Sequence, residues 1–183
     1  MKYLKVLFNT KSRYSDFEYK MDEINEAKTW NKEGKTPQEM GGINYSDEEH
    51  IIRWIHNGDM ICDVIVPDTA EVIKVMSSAT PGGVYRANKV ILTNKRPVTD
   101  EMVMEFYTKN NIPETAFPKA LGAVSIMNYK NTALKILKDK VNTSNIDFYL
   151  EEWNDFMSKK DRKDSNETVK LIDEELNKIK QGK

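Results

Sequence analysis

Apolar residues recur along this chain in two rhythms, and the change from one to the other falls near residue 97. In the first half the period is short. Lys2–Phe8 carries the β-formers Tyr3, Val6 and Phe8 and ends at polar Asn9-Thr10-Lys11-Ser12, which predicts a strand, and a central one. Phe17, Tyr19 and Met21 alternate through a second extended segment, Phe17–Ile24, before a polar loop, Lys28–Glu39, that contains Trp30 and Pro37. Met60–Val66 sets Met60, Cys62, Val64 and Val66 on one face against Ile61, Asp63 and Ile65 on the other. The turn Pro67-Asp68-Thr69-Ala70 then leads to a strand over Glu71–Met76, and Thr80-Pro81-Gly82-Gly83 to a strand over Val84–Thr93.

One helix is expected within this half, from Ser46 to Asn57. Ser46 and Glu49 have the spacing of a capping box, and Asp47 and Glu48 suit the positive end of the helix dipole. Ile51, Ile52 and Ile55 form its inward stripe with Trp54 at the border, and Asn57-Gly58 supplies a stop.

Beyond Arg96-Pro97 the spacing becomes helical. Thr99 is an N-cap before Met102, Val103, Phe106 and Tyr107, and Asn110-Asn111 closes that helix before Pro113. Pro118–Met127 is small and apolar, so it predicts a buried helix; Thr132–Val141 carries Ala133, Ile136, Leu137 and Val141 on one side. Asn145 caps Ile146–Met157. After the charged spacer Ser158–Asn166, Val169, Ile172, Leu176 and Ile179 line a narrow stripe on a last helix, to be held against the chain's own helical half, a second copy or a partner, and the charged spacer favours a contact outside the chain. The expected fold class is therefore α+β: a small mixed or antiparallel sheet with one flanking helix, then a helical C-terminal half. The divisions are 1–97, a helical group 98–157 packed on it, and 158–183.

Composition narrows the function by exclusion. Lys and Arg number 28 against 29 for Asp and Glu, a net charge of −1. Capture of nucleic acid needs a basic excess, so no direct nucleic-acid partner is expected. No apolar run approaches the roughly 20 residues a membrane helix needs, and no signal segment is evident, so the expected location is the cytoplasm. A single cysteine, Cys62, cannot form an intrachain disulfide; it reads as a buried, inert thiol.

Few side chains suggest chemistry. His50 and His56 are six apart, about 240° around a helix, and cannot chelate one metal together. Gly82-Gly83 followed by Arg86 is the one loop suited to an anion, either as a receptor or as a hairpin turn with a solvated arginine. Asp63 interrupts an apolar face, so it is either paired with Arg53, Arg86 or a lysine, or it is a pocket carboxylate.

Tyr19-Lys20, Trp30, Gly41-Gly42-Ile43-Asn44-Tyr45-Ser46, Ile52-Arg53-Trp54, Gly58-Asp59, Asp63-Val64-Ile65-Val66-Pro67 and Val84-Tyr85-Arg86 together resemble uncharacterised proteins of low-GC Gram-positive bacteria and their phages, over residues 1–155. A looser resemblance is to the ADP-ribosyltransferase fold: Phe8-Asn9-Thr10 and Asn44-Tyr45-Ser46-Asp47 match its first two motif positions, with Arg13 in place of the usual early arginine or histidine. The late-strand glutamate of that fold has no counterpart between Val84 and Thr93. What this second resemblance implies is NAD as a ligand of Asn9, Thr10, Arg13, Tyr45 and Ser46; Asp63 and Arg86 join them as candidate ligand-binding residues on their own reading.

The expected function is therefore that of a non-enzymatic interaction protein, of the accessory kind carried by phages and mobile elements. Its partner would be a host or defence protein, or a second copy, and it would need no cofactor. An ADP-ribosyltransferase-like nucleotide-binding protein or enzyme is the alternative.

Overall fold

β-formers at the start of the chain are paired on both sides. The computed structural model describes residues 1–12, 17–75, 82–159 and 166–182, and in it β1 (Tyr3–Leu7) is the middle strand of a sheet. The other strands are β2 (Ile24–Glu26), β3 (Ile43–Asp47), β4 (Met60–Ile65), β5 (Val72–Lys74), β6 (Tyr85–Ala87) and β7 (Lys89–Pro97), in the order β2-β7-β4-β1-β3-β6-β5. Neighbouring strands all pair antiparallel, and with the helices this is the expected α+β class. Four-residue α1 (Pro37–Met40) also lies in this part. The chain divides into two units, one of Met1–Ile51 with Asn57–Val98, the other of Ile52–His56 with Thr99–Lys183.

The alternation in Met60–Val66 holds. Cys62 and Val64 enter a cluster with Leu7, Tyr19, Ile43, Tyr45, Tyr85, Ala87, Val90 and Leu92, while Ile65 is half exposed. Gly58 closes against this sheet: a Cβ there would lie 1.9 Å from the Leu7 carbonyl oxygen, so the position accepts nothing larger than glycine.

Three elements depart from expectation. Phe17–Ile24 forms isolated bridges at Glu18 and Met21 instead of a strand: Phe17, Tyr19 and Met21 pack on the apolar cluster, while the backbone pairs only singly, Tyr19 with Thr10 and Asp22 with Leu92; the ladder begins at Ile24. The single strand expected over Val84–Thr93 is two. β6 pairs with β3 and β5, β7 with β2 and β4, and Asn88 makes the break by exchanging hydrogen bonds with the Glu71 backbone. No helix starts at Ser46, which is the fourth residue of β3. Pairing of Ile43–Asp47 with strands on both sides overrides the local capping signal, and the helical segment is confined to a seven-residue 3₁₀ helix, Ile51–Asn57. Ile51, Ile52 and Ile55 are buried on it.

The helical unit contains α2 (Asp100–Lys109), α3 (Phe117–Ile126), α4 (Lys130–Lys140), α5 (Ile146–Ser158) and α6 (Glu167–Lys180). Thr99 caps α2 as its sequence predicts, accepting from the Met102 amide at 3.3 Å. Every residue of α3 except Lys119 is buried. Asn145 precedes α5 without capping it; its amide donates to the Lys140 carbonyl.

The last helix takes, among its alternatives, the chain's own helical half in place of a partner or a second copy. Val169, Ile172 and Leu176 are 7, 0 and 0% exposed, packed where α6 meets α3, α4 and α5. Only Ile179 of the stripe retains partial exposure. An amphipathic helix shorter than about 15 residues is marginal in water, and α6 gains its stability by filling this core. The spacer between α5 and α6 lies largely outside the described residues, as do Met76, Thr80 and Pro81 of the expected strand and turn. Among the described residues no helix is long and apolar enough to cross a membrane.

Candidate functional site

Charged and polar side chains concentrate where β3 lies between β1 and β6. Lys5, in the central strand, is 5% exposed. Its ammonium donates to the Asn44 backbone carbonyl at 2.6 Å and to Asn44 Oδ1 at 2.9 Å, and it stands 5.1 Å from the centre of the Tyr19 ring. Asn44 is in turn the register partner of Arg86. The Arg86 Nη1 donates to the carbonyl of Gly41, in the turn that feeds β3, and its Nε is buried without a hydrogen-bond partner. Two cations thus flank one exposed asparagine, and among the described residues neither is paired with a carboxylate. Burial, and then the charge of Arg86, push the Lys5 ammonium down to about 7; burial alone lowers Arg86.

A second cluster lies at the end of the same two strands. His50 Nδ1 is 2.6 Å from Asp47 Oδ1, and the Tyr85 hydroxyl donates to Asp47 Oδ2 at 3.2 Å. The Ser46 hydroxyl donates to the Gly83 carbonyl at 2.5 Å. Gly83, with φ of 68°, packs against the imidazole so closely that a Cβ would fall 2.1 Å from His50 Cβ. Tyr3, Tyr45 and Tyr85 complete the cluster with ring centroids 5.1 to 5.4 Å apart. Burial and then Asp47 push the Tyr85 phenol up to about 12, so it stays a donor at neutral pH. An imidazole oriented by a carboxylate is one part of a nucleophile-activating triad. Here the Ser46 hydroxyl has its proton committed to Gly83 and the Tyr85 hydroxyl to Asp47, so the arrangement braces the turn.

The residues expected to bind a ligand are not gathered in one place. Tyr45 and Ser46 are adjacent on β3, and Arg86 lies beside them on β6. Asn9 and Thr10 follow β1 at its far end: Leu4 pairs with Ser46, and the five further residues to Asn9 extend about 17 Å. There the Asn9 amide donates to Asp59 and the Thr10 hydroxyl to Glu18. Arg13 lies outside the described residues. Asp63 takes the ion-paired alternative, with the expected lysine in Lys2 at 3.3 Å and with Arg96 at 2.9 Å in place of Arg53 or Arg86. A bulge in β7 at Asn94, φ 50°, swings that amide to donate to Asp63 at 3.1 Å. Burial opposes the charge, but Asn94, Arg96 and Lys2 hold the carboxyl below its ordinary range. Arg86 binds the Gly41 carbonyl instead of serving the Gly82-Gly83 turn. Cys62 is fully buried, its thiol pushed up to about 11 by burial, which makes it the inert residue its strand position predicts.

Lys5, the Asp47–His50 couple and a set of exposed isoleucines are not among the residues expected to act. Ile24 and Ile65 both pair with Ile91, so the three side chains form one row across β2, β7 and β4 on the face away from the apolar cluster. Ile24 and Ile65 are 53 and 51% exposed. The row is flanked by charges that already satisfy one another: Glu26 with Lys89 on one side, Asp63 with Lys2 and Arg96 on the other. No protein-family model, no curated protein and no solved structure matches this chain.

Proposed function

We propose that this is a non-enzymatic interaction protein, and that its contact surface is the Ile24–Ile91–Ile65 row and not the C-terminal helix. The observation that carries the reading is the exposure of two aligned isoleucines on adjoining sides of a third. A contiguous apolar patch rimmed by polar groups is the usual composition of a protein contact. The rim sets three cations against two carboxylates, one positive charge in excess and well short of the roughly four to eight clustered cations that hold a protein on an anionic lipid surface, which favours a protein as the occupant. The resemblance to phage-borne proteins makes a host or defence protein the proposed partner.

The test is a photo-crosslinking residue at position 65, expressed in a low-GC Gram-positive host. A discrete heterologous adduct is expected, lost in Ile24→Asp and kept in Phe148→Asp, a change at an exposed apolar residue of the helical unit. An adduct to a second copy would assign the row to self-association, and an adduct indifferent to Ile24→Asp would sink the reading.

A further inference from the structure

We propose that Lys5 and Arg86, on either side of Asn44, form a binding site for a compact oxyanion, the phosphate group of a small molecule. A buried charge is costly unless it is paired, and native proteins pair theirs: in this same sheet Asp63 has two cations and an asparagine. Among the described residues, Lys5 and Arg86 have only oxygen dipoles, from Asn44 and Gly41. The groups facing Lys5 are the Arg86 guanidinium, the Tyr19 ring and the Cys62 thiol, and none of them supplies negative charge near neutral pH: burial raises both the thiol and the Tyr19 phenol. Two positive charges match a dianion, where a single carboxylate would leave one uncompensated. The guanidinium keeps a buried Nε unused, as a fork that accepts an oxyanion requires. Asn44 is exposed, so the site opens to solvent at that residue, above the lysine that bonds to it.

The site is independent of the isoleucine row and survives or fails separately. Its test is isothermal titration of the full chain with sulfate, whose charge is fixed across the pH range used, and with inorganic phosphate, at constant ionic strength in chloride. One-to-one binding is expected, with a proton taken up from buffer at about pH 8, because an anion beside Lys5 raises its affinity for a proton. Sulfate affinity should fall toward tenfold per pH unit above that point. Arg86→Gln and Lys5→Met should abolish binding. Asn44→Asp, which places a carboxylate between the two cations at an exposed position, should also abolish it and raise Tm, and this variant keeps the test decisive if Lys5→Met does not fold. Absence of saturable binding of either anion would overturn the proposal, as would binding that is indifferent to Asn44→Asp and Arg86→Gln or that involves no proton uptake.

Discussion

The two units solve the problem of buried polarity differently. In the helical unit, polar groups are matched at close range: the Asp100 carboxylate accepts from the Asn131 and Thr132 amides at 2.8 and 3.0 Å and so caps α4 from a neighbouring helix. The Trp153 indole donates to Asp173, and the Thr168 hydroxyl to Asn128. The sheet unit instead keeps a buried lysine and a half-buried arginine with no counter-ion among the described residues, and leaves two isoleucines half in water. Natural proteins depart from local consistency at functional positions, and the aligned isoleucines and the Lys5–Arg86 pair are the departures on which both proposals rest.

The comparison breaks first, if it breaks, at the C-terminal helix. Ile172→Asp with Leu176→Asp buries two unpaired charges at positions of zero exposure, and each should cost several kcal/mol. Loss of most helical circular dichroism is expected; a folded double mutant with altered association would restore the interaction-arm reading of α6. The next largest effect is at Lys5. Its folded value of about 7 lies below the ordinary 10.5, so the native state releases its proton first. Relative to Lys5→Met, wild-type stability should therefore be lowest below about pH 7 and should recover by several kcal/mol toward about pH 10, followed by urea unfolding at each pH. A flat difference would mean that Lys5 is not desolvated.

Asp100→Ala should cost about 2 kcal/mol, at the upper end of capping losses, because both amides lose their acceptor and the Thr132 hydroxyl keeps only the Asp100 backbone carbonyl. Ser46→Ala should cost about 1 kcal/mol through the orphaned Gly83 carbonyl, measured by thermal melting. The smallest effect sharpens the contrast most: Ile24→Asp should change stability by less than about 0.5 kcal/mol, since its side chain is already half solvated, while removing the contact proposed for it.

Ser46 shows how a residue with an engaged side chain can be assigned to the wrong element. Its hydroxyl is bonded, but from a strand; the Ser-x-x-Glu spacing is local, and the pairing of β3 with β1 and β6 comes from residues some 40 positions away. Where the signal is local and unopposed, as at Thr99 or in the alternation of Met60–Val66, sequence and structure agree. Lys5 was legible in principle. It stands among Tyr3, Leu4, Val6 and Leu7 in a strand expected to be central, and a central strand covered on both faces leaves a lysine no route to water. The isoleucine row could not be read in advance, because Ile24, Ile65 and Ile91 become neighbours only once the register of three strands is set.

Both margins of the sheet are cut short. β2 and β5, the outermost strands, are three residues each, so the ribbon of unpaired amides and carbonyls that an incoming chain needs for main-chain pairing is too brief to template growth. Concentrated protein should therefore resist conversion to cross-β fibrils even with its isoleucines showing, and any clustering it undergoes should be a reversible contact of side chains that dissolves on dilution.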